Sequence, residues 1–136
     1  MTRHQKLLFF SVVIGLTYLG VYKSYQHWQA EYDFNKGLKY NAYKQYKKAI
    51  PHYQKAITRF PSEDFYRLHY AKNYLDLART QHPTIAESID YAKKGKHVLE
   101  NLHKRDPSNP WYLLRLSETA LMLSYFYPQK KEIYIL

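Results

Sequence analysis

A chain of 136 residues with four glycines and 21 basic against 11 acidic side chains has room for one small domain beside a membrane segment of roughly 20 residues, and for no second core. The absence of cysteine excludes disulfides, thiolate zinc sites, iron–sulfur clusters and thiol nucleophiles together. Lys, Leu, Ala, Gln and Glu are spread along the chain while Val and Ile are few and scattered, so local preference points to an all-α fold.

The first element in chain order is apolar. Residues 7–22 read LLFFSVVIGLTYLGVY, without a charge, with Arg3, His4 and Lys6 in front and Lys23 behind. As a helix this run is about 24 Å long against a bilayer core of about 30 Å, and snorkelling by Lys6 and Lys23, with Tyr22, Tyr25 and Trp28 at the interface, covers the difference. A cleaved signal peptide and a buried helix of a soluble domain are the competing readings. Small residues at the spacing of a cleavage site do not follow the run, so an uncleaved transmembrane anchor with an interfacial flank is expected over residues 1–28. Arg3 and Lys6 precede the span, whereas Lys23 is followed by Glu31 and Asp33 before Lys36. The positive-inside rule therefore favours a cytoplasmic N-terminus and an extracytoplasmic domain, which in a bacterium lies at the inner membrane facing the periplasm.

Residues 23–59 carry eight basic and two acidic side chains. Such a membrane-proximal stretch would draw anionic lipid, glycan, nucleic acid or an acidic protein; the alternative is a solvated lysine-rich helical face.

From Glu31 to Arg59 the apolar positions recur at helical spacing: Tyr32, Phe34, Leu38 and Tyr40, then Tyr46, Ala49, Ile50, Tyr53, Ala56 and Ile57. Asn41 is placed at the turn between two helices. Ala49, Tyr53 and Ala56 set small, large and small residues on one face, which lets two backbones approach with a ring filling the space between. Pro51 inside the second helix removes a donor and crowds the carbonyl of Lys47, so that helix is expected to be regular only from about Ala49.

Gly37, Tyr40, Tyr46, Ala49, Tyr53, Ala56 and Pro61 together resemble a tetratricopeptide repeat, the 34-residue helix–turn–helix unit. Asp33 stands where that family often has tryptophan and Lys36 where it prefers leucine, so the first helix must pack atypically. The next unit opens at Pro61-Ser62-Glu63-Asp64, with Ser62 as cap, and Tyr70, Ala71 and Tyr74 follow at the family's large, small and aromatic positions. Gly95, Leu99, Leu102 and Pro107 recover the closing pattern only across an insertion near residues 79–91. There Gln81-His82-Pro83 ends one helix, and Thr84-Ile85-Ala86-Glu87 reads as a capping box opening another that runs through Ile89, Ala92 and Gly95 towards Leu102. Asn109 and Pro110 cap and start a last helix. The expected architecture is an N-terminal transmembrane helix followed by a short α-solenoid of about two and a half tetratricopeptide-like units over residues 29–127, with a tail at 128–136 after Pro128.

The last helix carries Leu113, Leu114, Leu116, Leu121, Met122, Leu123, Tyr125 and Phe126, too many for one face. Leu121, Tyr125 and Phe126 are the candidate interface there; a tightly packed terminal helix and a chain cut from a longer array are the alternatives.

Chemistry is not indicated. The glycines at 15, 20, 37 and 95 form no phosphate loop, and the seven histidines show no HExxH and no pair at i, i+4, so they read as surface residues. No cofactor, metal or catalytic residue is expected. Sixteen tyrosines among lysines could stack bases, yet many occupy repeat core positions, and nucleic acid is not the expected partner.

By resemblance, the first helices of successive units form a groove for peptides or protein surfaces. On that pattern Phe34, Leu38, Asn41, Phe65, Leu68, Lys72 and Leu75 line it, and Leu38→Glu with Leu75→Glu is expected to abolish partner capture without unfolding. The implied function is a membrane-anchored scaffold for a protein partner in a membrane or cell-envelope complex. Two alternatives stand beside it. AIPHYQKAITRFPSEDFYRLHYA and DPSNPWYLLRLSE after a membrane helix resemble the region following the final span of O-antigen ligase or polymerase family proteins, which implies an accessory or detached portion of a glycan assembly protein. The other is a small structural subunit of a larger membrane complex.

Overall fold

The computed structural model describes residues 3–80 and 84–126. Among them the chain forms five helices and no strand: α1 (Arg3–Ala42), α2 (Tyr46–Arg59), α3 (Asp64–Thr80), α4 (Ile85–Arg105) and α5 (Pro110–Phe126). The Gln81-His82-Pro83 break and the tail beyond 127 lie outside the described residues.

α1 is one unbroken helix of 40 residues, about 60 Å at 1.5 Å per residue. The boundary expected between residues 28 and 29 therefore falls inside a helix. Residues 23–36 contain no glycine, proline or capping signal to interrupt it. Its N-terminal part is long and apolar enough to cross a membrane: an 18-residue window has mean hydropathy 1.6 and none of it is buried. That exposure removes the reading of residues 7–22 as a buried helix of a soluble domain.

The C-terminal part of α1 pairs with α2 as an antiparallel hairpin. Lys44 closes the turn in the left-handed region (φ 57°), and the amides of Lys44 and Gln45 return to the carbonyls of Asn41 and Tyr40 at 2.8 and 2.9 Å. The turn thus follows Asn41 by two residues. Gly37 is required here, because a Cβ would meet a ring carbon of Tyr53 at 2.8 Å. Ala30, Phe34, Ala49, Tyr53, Ala56 and Tyr66 make the core of this end of the domain.

α2 begins at Tyr46, a turn earlier than expected, with Pro51 inside it. The buried Tyr46 ring and the bonds from the amides of Lys48 and Ala49 to the Gln45 carbonyl hold the first turn despite the missing Pro51 donor. Asp33 is buried and ion-paired with Arg59, and His52 approaches it to 3.7 Å.

α3 and α4 repeat the hairpin. α3 starts at Asp64, with the Glu63 carboxylate rather than Ser62 accepting from the Phe65 amide (3.2 Å). α4 opens with the expected capping box: the Glu87 amide donates to Thr84 Oγ1 (3.2 Å) and the Thr84 amide to Glu87 Oε2 (2.9 Å). Gly95 packs on Ala71 and Leu75, where a Cβ would lie 2.9 Å from a Leu75 methyl and 3.1 Å from the Ala71 carbonyl oxygen. Leu99, Leu102, Tyr112, Met122 and Leu123 extend this second core into α5. The Trp111 amide donates to Asn109 Oδ1 (3.1 Å), the expected cap.

The two hairpins stack with their first helices side by side. Tyr66 donates to Glu31 (2.6 Å), Phe34 stacks on Tyr66 (4.7 Å), and Asn41 donates to Asn73 (2.9 Å). Since contacts advance together along both helices, α1 and α3 run parallel. α2 lies antiparallel to α3, linked by Gln54 to Tyr70 (2.9 Å) and by Asn73 to the Tyr46 carbonyl (3.0 Å).

Candidate protein-binding groove

The parallel pair α1 and α3, with α5 beyond, shares one face of the domain, and the residues expected to line it divide into two groups. Phe65, Leu38, Leu68 and Lys72 are accessible to different degrees. Phe65 leads, at 52% exposure, while Leu38 and Leu68 are partly buried against the two cores. Lys72 is half-exposed and ion-paired with Asp76 at 2.6 Å.

Phe34, Leu75 and Asn41 serve the interior instead. Phe34 is surrounded by Tyr53, Phe65, Tyr66 and His69, with ring centroids 4.7 to 5.8 Å away. Leu75 is buried beneath Gly95, so Leu75→Glu would place a carboxylate in the apolar core and unfold the second hairpin rather than spare it. Asn41 spends its amide on Asn73, whose own amide reaches the Tyr46 carbonyl. This two-residue polar bridge ties three helices together, since a buried amide left unpaired would cost about 1–3 kcal/mol.

His69 and Arg115 belong to the same face and were not among the expected residues. The His69 ring packs edge-on against Phe65 at 4.4 Å and against Phe34 at 5.3 Å. Burial, then the charges of Lys72 and Arg115, lower its pKa, which leaves a neutral imidazole able to both donate and accept. Its position four residues after Phe65 on a helix was the available signal. Three histidines depart from the expected surface role, for His52, His69 and His103 are all partly buried. In His52 burial and the charges of Lys36 and Lys55 lower the pKa, outweighing an Asp33 carboxylate that Arg59 already neutralises.

The face is therefore an aromatic and aliphatic strip, Leu38, Phe65 and Leu68, edged by His69, Lys72 and Arg115. Arg115 is paired with Glu118 (2.8 Å) as Lys72 is with Asp76, so the face suits an apolar side chain flanked by groups that share or compete for those cations. No group of three or more metal-ligating side chains occurs among the described residues.

A second exposed surface lies on α5. Leu121 and Tyr125 are 73% and 82% exposed, and with Phe126, Met122 and Arg79 they line an open hollow of about 500 Å³. The three candidate interface residues thus share one surface. Leu121 and Tyr125 point outward while Phe126 packs against the second core, and Tyr112, Thr119, Met122 and Leu123 fill the inward face.

No protein-family model matches this chain, and no characterised protein or solved structure matches it either.

Proposed function

We propose that this chain is a membrane-anchored scaffold of tetratricopeptide type that recruits a protein partner on the extracytoplasmic side, in a membrane or cell-envelope complex. The observation that carries this reading is the parallel placement of α1 and α3. First helices side by side bring Leu38 of α1 and Phe65 and Leu68 of α3 to one face, with Phe65 exposed at the start of α3. Recruitment is noncovalent: the partner's apolar side chain covers Phe65 and Leu68 while its polar groups meet His69, Lys72 and Arg115.

The basic stretch following the anchor takes a changed role. Lys36, Lys39, Lys44, Lys47 and Lys48 cluster around the α1–α2 turn. On a continuous helix Lys36 stands about 20 Å and Lys44 about 30 Å beyond Lys23, more than two Debye lengths of about 8 Å, so these lysines feel little of the lipid at the foot of their own anchor. An acidic protein, rather than anionic lipid, fits them.

The test is complex formation after gentle solubilisation, with Phe65→Glu and Lys72→Glu in place of any change at Leu75. Loss of a stoichiometric partner with an unchanged helical spectrum supports the reading. Retention of that partner by the variant excludes the groove.

The exposed Leu121 and Tyr125 favour a second reading, a small subunit buried among others. Native electrophoresis of the full chain distinguishes it: Leu121→Asp with Tyr125→Asp should then release the chain from a larger assembly.

A further inference from the structure

The outer side of α1, turned away from α3, carries Tyr32, Asn35, Lys36 and Lys39 at steps of three and four residues, and Tyr43 follows in the turn, its amide bonded to the Lys39 carbonyl (3.2 Å). With Tyr40 and Gln45 they enclose an open hollow of about 530 Å³. Its walls are set in place: Tyr40 stacks on His52 at 5.3 Å and 18°, Trp28 stacks on Tyr32 at 6.2 Å, and the Lys36 ammonium sits 4.6 Å from the Tyr32 ring centre. The only two acids of α1 are engaged elsewhere, Glu31 by the Tyr66 hydroxyl and Asp33 by Arg59 and His52. Aromatic faces, two amides and two ammonium groups remain, and among the described residues neither lysine has a carboxylate partner.

We propose that this hollow is a second docking surface, opposite the groove, for an acidic helical segment of a partner protein. The proposal rests on the scaffold reading. Helical step and length argue for the occupant: from Tyr32 to Tyr43 the stripe runs about 16 Å, or three turns, which another helix matches by ridges in grooves. Apolar side chains of that segment lie on the tyrosines while its carboxylates face Lys36 and Lys39. A second copy is disfavoured by charge, because a parallel two-fold pairing would set each lysine against its own counterpart.

The test uses the full chain in phosphatidylcholine nanodiscs and a fluorescent 14-residue helical peptide with a leucine stripe and glutamate flanks. Its Glu→Gln counterpart and oligogalacturonate serve as comparators. At low salt the glutamate peptide should bind about tenfold more tightly than the glutamine one, as two surface charge pairs allow. Lys36→Glu with Lys39→Glu should remove that difference, whereas Phe65→Glu should leave it intact; circular dichroism checks that both variants fold. Equal affinity for the two peptides, binding that survives the charge reversal, tighter binding of oligogalacturonate, or self-association through this face would each overturn the proposal. Where the peptide fails but a native partner is still lost on Phe65→Glu, the second surface falls and the scaffold reading stands. Where no variant changes any protein association, the scaffold reading itself falls.

Discussion

Replacing Arg59 by Met removes the guanidinium from a carboxylate that the first hairpin keeps nearly out of water. The Asp33 side chain is 8% exposed and that of Arg59 35% exposed, so the two partners are not equivalent. Without Arg59, the nearest remaining cationic candidate is His52 at 3.7 Å, and its imidazole is held towards the neutral form. An uncompensated buried carboxylate of this kind costs about 3–5 kcal/mol. Asp33→Leu leaves Arg59 free to swing into solvent, and the loss should be nearer 1 kcal/mol, the scale of a pair with one wet partner. The double substitution should recover most of the Arg59→Met loss, since apolar packing replaces a buried pair at little net cost. Urea unfolding of the full chain in detergent micelles, followed by circular dichroism, measures all three variants. Equal losses for the two single changes, or a double variant as unstable as their sum, would refute this account of the hairpin.

Gly95→Ala drives a methyl to 2.9 Å from Leu75 and 3.1 Å from a backbone oxygen that cannot move aside. Overpacking of about 1–3 kcal/mol then exceeds the gain of about 1 kcal/mol in helix propensity, and the midpoint of thermal unfolding should fall. The lowered pKa of His69 makes the unfolded chain the better proton binder below its ordinary value of 6.5. The stability from the neutral imidazole is present above pH 6.5 and is lost as pH falls from there through the folded pKa. His69→Gln should flatten the drop in melting temperature between pH 7.5 and 5.5, and an unchanged drop would count against the burial of that ring. Thr84→Ala removes the side-chain half of the capping box and should cost about 1 kcal/mol by the same unfolding measurement.

Local chemistry was the most legible part of the fold. The capping box at Thr84 and Glu87 and the Asn109 cap before Pro110 follow from residue type and spacing, because each concerns neighbours on one helix. Where tertiary contacts overrode local preference, the sequence reading failed. Packing of Tyr46 started α2 a turn before the point that Pro51 had suggested, and Arg59 made Asp33 an interior residue. The expected groove was half legible for a related reason. Helical spacing places Phe34, Leu75 and Phe65 on the first helices, but only the neighbouring hairpin decides that Phe34 and Leu75 face inward and Phe65 outward. The lysines following the anchor posed a different problem, since sequence distance from a membrane segment equals spatial distance only once the helix is known to be continuous.

The scaffold reading stands or falls on whether the face that carries Phe65 recruits a protein. Site-specific photo-crosslinking in native membranes tests it most directly, with benzoylphenylalanine at position 65 and, as a control on an exposed part of α2, at Thr58. One discrete cross-linked protein from position 65, absent from position 58 and lost on Lys72→Glu, is the result expected. No adduct at position 65, or the same adducts from both positions, would contradict it.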